Sequence, residues 1–241
     1  MSMIVSATIC YNGAERSGRK TIMAQPSEHG RIIAAAAKAA LAPIGCVRKG
    51  QSRTWRADHR YWVIDVEFQP SGWQKGSYLN ISVAWLWNVT HGYDFAYRAG
   101  SFIPFETAEQ FTPPIRELAA IAATEVLKVR EQFGSFSDIL DYIKADNRRA
   151  PWPGFNAAIV CGLAGDIVSA RQYFHEVEAW DTDKSPWRAR AKIDAIKLEA
   201  LLDRPERFRD AVAECIARRR QLMGLPPDPH CFDELDSKAT P

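Results

Sequence analysis

The sequence predicts an α+β fold in which an N-terminal helix packs on an antiparallel β-meander of three to four strands, with α-helical hairpins following. Three observations carry this expectation. The runs Trp62-Val63-Ile64-Asp65-Val66-Glu67-Phe68 and Leu79-Asn80-Ile81-Ser82-Val83-Ala84-Trp85 both alternate with period two, and each is bounded by turn residues. The stretch 28–42 is alanine-rich with an apolar stripe at helical spacing. From residue 113 onward the period changes to about 3.6, and helical segments alternate with glycine and proline breaks.

The helix opens at Pro26-Ser27-Glu28, where the Ser27 hydroxyl suits an N-cap, and closes at Pro43 and Gly45. Ile32, Ile33, Ala36, Ala40 and Leu41 form its stripe. A first strand over 52–57 places Trp55 in the core, and Asp58-His59 turns into the second. In the second and third strands Trp62, Ile64, Val66, Phe68, Leu79, Ile81, Val83, Trp85 and Trp87 make one apolar floor, which the alanine-rich helix is expected to cover. Asp65, Glu67, Gln69, Asn80 and Ser82 share the opposite face, read as solvated. A fourth strand fits within 95–105. A long helix over 115–133 then starts just after Pro113-Pro114, and a short one begins at Phe136. Beyond the proline-containing linker 147–154 come helices over 155–163, 167–180, 186–202 and 205–223.

The chain has 241 residues, 46% apolar and 25% charged, enough for a substantial buried core. A net charge of +2 gives no whole-protein field toward nucleic acid or an acidic membrane. The most apolar run, 32–44, is interrupted by Lys38 and stopped by Pro43, so no membrane span is expected. The five cysteines are odd in number and scattered, which argues for reduced thiols and a cytoplasmic protein.

The segments Arg48-Lys49-Gly50, Trp55-Arg56, Val63 through Trp73 and Tyr78 through Val83 together resemble a bacterial family catalogued as domain of unknown function 4304, over roughly residues 26–145. Pro70, where that family often has lysine, and the 1–22 extension depart from its pattern. The resemblance implies no established activity. Some members lie beside bacterial toxins, which implies an immunity role. Separately, Gly162-Leu163-Ala164-Gly165-Asp166 with Ala170 and Phe174 is similar to the turn and second helix of a tetratricopeptide repeat. The expected organisation is therefore an extension at 1–22, an α+β domain at 23–146, a tetratricopeptide-like helical region at 147–225 and a flexible tail at 226–241.

No nucleophile motif, phosphate loop or metal-ligand spacing is present, and the residues imply neither cofactor nor metal. Three function classes remain. The first is a non-enzymatic protein-binding module whose contact residues are Asp65, Glu67, Gln69, Trp73, Asn80 and Trp152. Its partner would be a protein, such as a toxin neutralised by occlusion. In this reading Trp73 in the hairpin loop and Trp152 in the linker are exposed anchors, with the alternative that both fill a seam. The second is a single-stranded nucleic-acid binder using Arg48, Lys49, Arg53, Arg56, Arg60 and Lys75 with interleaved aromatics. The third is an enzyme whose Asp65 and Glu67, two apart on one strand, share a proton or bind a cation; the alternative is a plain solvated sheet face. Arg218-Arg219-Arg220 reads first as cations suited to a helix C-terminus.

Overall fold

A computed structural model describes residues 27–88, 92–146, 152, 154–182 and 186–233. The expected extension at 1–22, most of the 147–154 linker and residues 234–241 lie outside them. The fold is α+β. Helix α1 (Glu28–Leu41) and a 3-10 turn (Ala42–Ile44) lead into β1 (Val47–Arg48), β2 (Thr54–His59), β3 (Trp62–Gln69), β4 (Gly76–Trp85) and β5 (Phe95–Pro104). The five strands form one antiparallel sheet in sequence order. The additional strand is β1, two residues long, with Val47 opposite Arg56 and Arg48 opposite Trp55. Helices α2 (Ala108–Gln132), α3 (Phe136–Asp146), α4 (Phe155–Leu163), α5 (Ile167–Glu178), α6 (Pro186–Glu199) and α7 (Pro205–Leu222) follow.

The chain packs into two compact units whose limits cut across strands and helices and do not follow the linker at 147–154. Of the described residues, one unit comprises those up to 56, 66–81 and 96–125; the other comprises those of 57–65, 82–95 and from 126 onward.

In the first unit α1 is capped as its sequence suggests, with Ser27 Oγ accepting from the Gly30 amide. It buries Ile33, Ala36, Ala37 and Leu41. From the strands come Trp55, Val66, Phe68, Leu79 and Ile81, all buried. Helix α1 is the expected cover for this floor, and α2 lies against β5. Its Glu125 accepts from the Tyr97 hydroxyl of β5 at 2.8 Å, and Leu118 lies against Gly100. Helix α2 begins seven residues before the expected start, with Pro113 and Pro114 inside it. The cause is tertiary. Thr107 caps the new first turn by accepting from Gln110, and Phe111 is buried against Phe105, which outweighs two missing amide donors.

In the second unit Phe133, just beyond α2, meets Trp62 and Trp85 edge-on at 5.6 and 5.2 Å. Trp85 stacks on Trp87. The α4–α5 hairpin buries α4 from Phe155 to Gly162 together with Ala170 and Phe174. A Cβ on Gly162 would stand 2.6 Å from the Phe208 ring of α7, so only glycine permits that approach. Residues 226–233 are not a flexible tail. Cys231 and Phe232 are buried, Arg209 donates to the Phe232 carbonyl, and Asp228 pairs with Arg60 at 3.1 Å. Arg220 is likewise no simple helix cap. It is 3% exposed and grips both carboxylate oxygens of Asp58 at 2.8 and 2.7 Å, with the carbonyls of Arg60 and Pro226 as further acceptors.

Candidate binding surface

Period-two alternation sends Glu67 and Gln69 from β3, Tyr78 and Asn80 from β4, and Arg98 and Phe102 from β5 to the polar face of the first unit. These side chains form a connected array. Asn80 Nδ2 donates to Gln69 Oε1 at 2.8 Å and to Glu67 Oε2 at 3.3 Å. Arg98 donates to the same Gln69 oxygen at 3.2 Å and to Asn80 Oδ1 at 3.4 Å. Its guanidinium lies 3.8 Å from the centre of the Tyr78 ring, and Tyr78 meets Phe102 at 4.6 Å. All are half-buried except the exposed Arg98. Each polar group thus has a fixed partner while keeping water-facing capacity, so the face is preorganised for hydrogen bonding.

The loop joining β3 to β4 stands beside this face. Its foot is held by the Phe105 amide donating to the Lys75 carbonyl and by Arg53 donating to the Gly76 carbonyl. Gly76 is required there, because a Cβ would strike the Ile103 carbonyl and the Phe102 ring. At the tip the Trp73 amide donates to Ser71 Oγ, and the indole is 99% exposed. A depression of about 280 Å³ lies here, lined by His29 and residues 70–76. His29 Nε2 accepts from Arg53 at 2.9 Å. Burial first, and then the charges of Arg53 and Lys75, hold the His29 imidazole below its usual pKa.

The sequence candidates separate accordingly. Glu67, Gln69 and Asn80 come together, with Trp73 on the loop between their strands. Asp65 does not join them: it is 1% exposed in the second unit and accepts from the Tyr93 hydroxyl at 2.6 Å. Ser82 is buried too, so that part of the face is not solvated. Trp152 is wholly buried against Phe155, Trp180 and Trp187, which removes it as an exposed anchor. Among the cations, Arg56 is 6% exposed, and Arg48 folds back onto the Gln51 and Ser52 carbonyls. Arg60, at φ 66°, is committed to Asp228 and Asp233. Only Lys49, Arg53 and Lys75 of that set remain as a basic group in the first unit, the two lysines exposed and Arg53 half-buried. The contribution of Arg98, Tyr78 and Phe102 was not anticipated. The signal was their parity with Asn80 and Gln69, obscured in β5 by Gly100.

Among the described residues no group of three or more His, Cys, Asp or Glu side chains is placed to hold a metal ion. No helix there is long and apolar enough to cross a membrane. No family model matches the chain, and neither the curated proteins nor the solved structures give a match.

Proposed function

We propose that this chain is a non-enzymatic, cytoplasmic protein-binding module that engages its partner through the β3–β4 loop and the adjoining polar sheet face. The observation that carries this reading is Trp73, an indole left 99% exposed on a loop whose foot is fixed by hydrogen bonds. An exposed tryptophan on an anchored loop gains a large apolar burial when a partner covers it. The array of Glu67, Gln69, Asn80 and Arg98 supplies a polar rim that needs little ordering. Occlusion of a toxin, the role implied by the resemblance to domain of unknown function 4304, is the finer form of the same reading.

The competing classes lose support from particular side chains. Asp65 and Glu67 each accept from a separate donor, Tyr93 for one and Asn80 for the other, which weakens the reading of a paired carboxylate site. A phosphate-binding stripe loses Arg56 to burial and Arg48 and Arg60 to internal partners. The test is affinity capture from the native host with wild type and Trp73→Ala. A protein partner recovered in stoichiometric amount with wild type and lost with the variant supports the module. Equal recovery by both, or substrate turnover by the wild type, overturns it.

A further inference from the structure

The depression beside Trp73 has a charge character that narrows the partner's chemistry. Its lining combines the exposed ammonium of Lys75 with His29, and Arg53 reaches both His29 and the Gly76 carbonyl that closes its floor. Among the described residues no carboxylate lines it. The nearest acid along the chain is Glu28, exposed in the first turn of α1. An exposed indole stands on the rim.

We propose that this depression receives an aspartate or glutamate side chain from an acidic segment of the partner protein. Lys75 is the charge partner of that carboxylate, and Trp73 is covered by an apolar residue next to it. This rests on the protein-binding reading above and specifies its partner. A carboxylate is favoured over a nucleic-acid phosphate by what surrounds the depression. Tight phosphate tracking needs several free cations in a row, because each neutralised phosphate adds its own counterion release. Here the half-exposed Glu67 faces outward on the adjoining sheet, and Arg48 and Arg56 are internally engaged or buried. One acidic side chain needs only Lys75 as its partner, with the Arg53 charge standing behind His29, and Gln69 and Asn80 suit amide and backbone partners.

The experiment titrates the full chain with three synthetic probes: a short peptide repeating Glu-Glu-Leu, its Gln-Gln-Leu counterpart and an oligothymidylate of equal length. Binding is followed by the nuclear magnetic resonance signal of the Trp73 indole, assigned with Trp73→Phe. Lys75→Glu, at an exposed loop position, is titrated in parallel after its melting temperature is shown to match wild type. The expected result is that the acidic peptide shifts the Trp73 signal and the neutral peptide does so at least tenfold more weakly. Lys75→Glu should weaken the acidic peptide by roughly tenfold or more, and added salt should do likewise. Tighter binding by the oligothymidylate, equal binding by the neutral peptide, or indifference to Lys75→Glu each overturns the proposal. If Trp73→Ala abolishes capture of the native partner while Lys75→Glu leaves it intact, the acidic-segment inference fails and the protein-binding reading stands.

Discussion

Asn156 on α4 donates to Asp94 at 2.8 Å from one end of its amide and accepts from the Trp87 indole at 2.9 Å at the other. The Asp94 carboxylate also receives the Trp85 amide at 2.8 Å, and both Asp94 and Asn156 are buried. The direction of this chain is fixed at both ends, since an indole and a backbone amide can only donate. The terminal group must therefore accept twice. Asp94→Asn breaks that rule whichever way its amide turns, leaving two donors face to face. A loss of about 1–3 kcal/mol is expected in urea unfolding. A loss of only a few tenths would show that the network is replaceable.

The same carboxyl makes stability depend on pH. Burial pushes Asp94 up to about 6, against the opposing hydrogen bonds from Trp85 and Asn156 and the charge of Arg219. The folded protein therefore holds this proton at a pH where the unfolded chain has released it. The resulting stabilisation is complete below about pH 4 and is lost as pH rises to about 6. His59 runs the other way. Burial, with the charge of Arg130, lowers it to about 4, so its share of stability is present above about pH 6.5 and lost as pH falls toward 4. The two oppose each other in one window, and single variants separate them. The cost of Asp94→Asn should grow on going from pH 7 to pH 4, measured as the difference from wild type in urea midpoints.

Gly162 and Phe208 make a second check on packing. A methyl group at position 162 would meet the Phe208 ring at 2.6 Å, so Gly162→Ala should cost about 1–3 kcal/mol by overpacking. Adding Phe208→Leu to that variant should recover part of the loss, because the obstructing ring is gone. Additive losses in the double variant would contradict the contact.

Arg220 ties the segment after α7 to the turn between β2 and β3. Removing it leaves Asp58, whose side chain is 32% exposed and can take up water, without its bidentate partner, and Arg220→Ala should cost about 1–3 kcal/mol. Limited proteolysis should then cut near residues 226–233, which wild type protects. Unchanged protection would mean that the Arg60–Asp228 pair and Phe232 suffice.

Much of the fold was legible from periodicity. Two alternating runs became β3 and β4, Ser27 capped α1, and Gly165-Asp166 divided α4 from α5 with Asp166 accepting from the Ser169 amide. What escaped depends on tertiary partners. Nothing local to 108–114 announces a helix holding two prolines, since the burial of Phe111 decides it. Residue parity placed Asp65 and Glu67 on one face but could not tell that Asp65 is enclosed and bonded by Tyr93. Trp73 and Trp152 each sit in a segment rich in proline or glycine. One is wholly exposed and the other wholly buried, which no local pattern distinguishes. Arg220 looked like one cation among three, and only its pairing with Asp58 reveals its place in the core.

In the proposed function another protein sits on the β3–β4 loop. The most direct measurement is photo-crosslinking in the native host from a reactive side chain placed at position 73. The control carries the same group at Leu222, also an exposed apolar residue but on α7. One discrete protein adduct is expected from position 73 and none of that mass from position 222. No adduct from position 73, or the same adduct pattern from both positions, would contradict the proposed function.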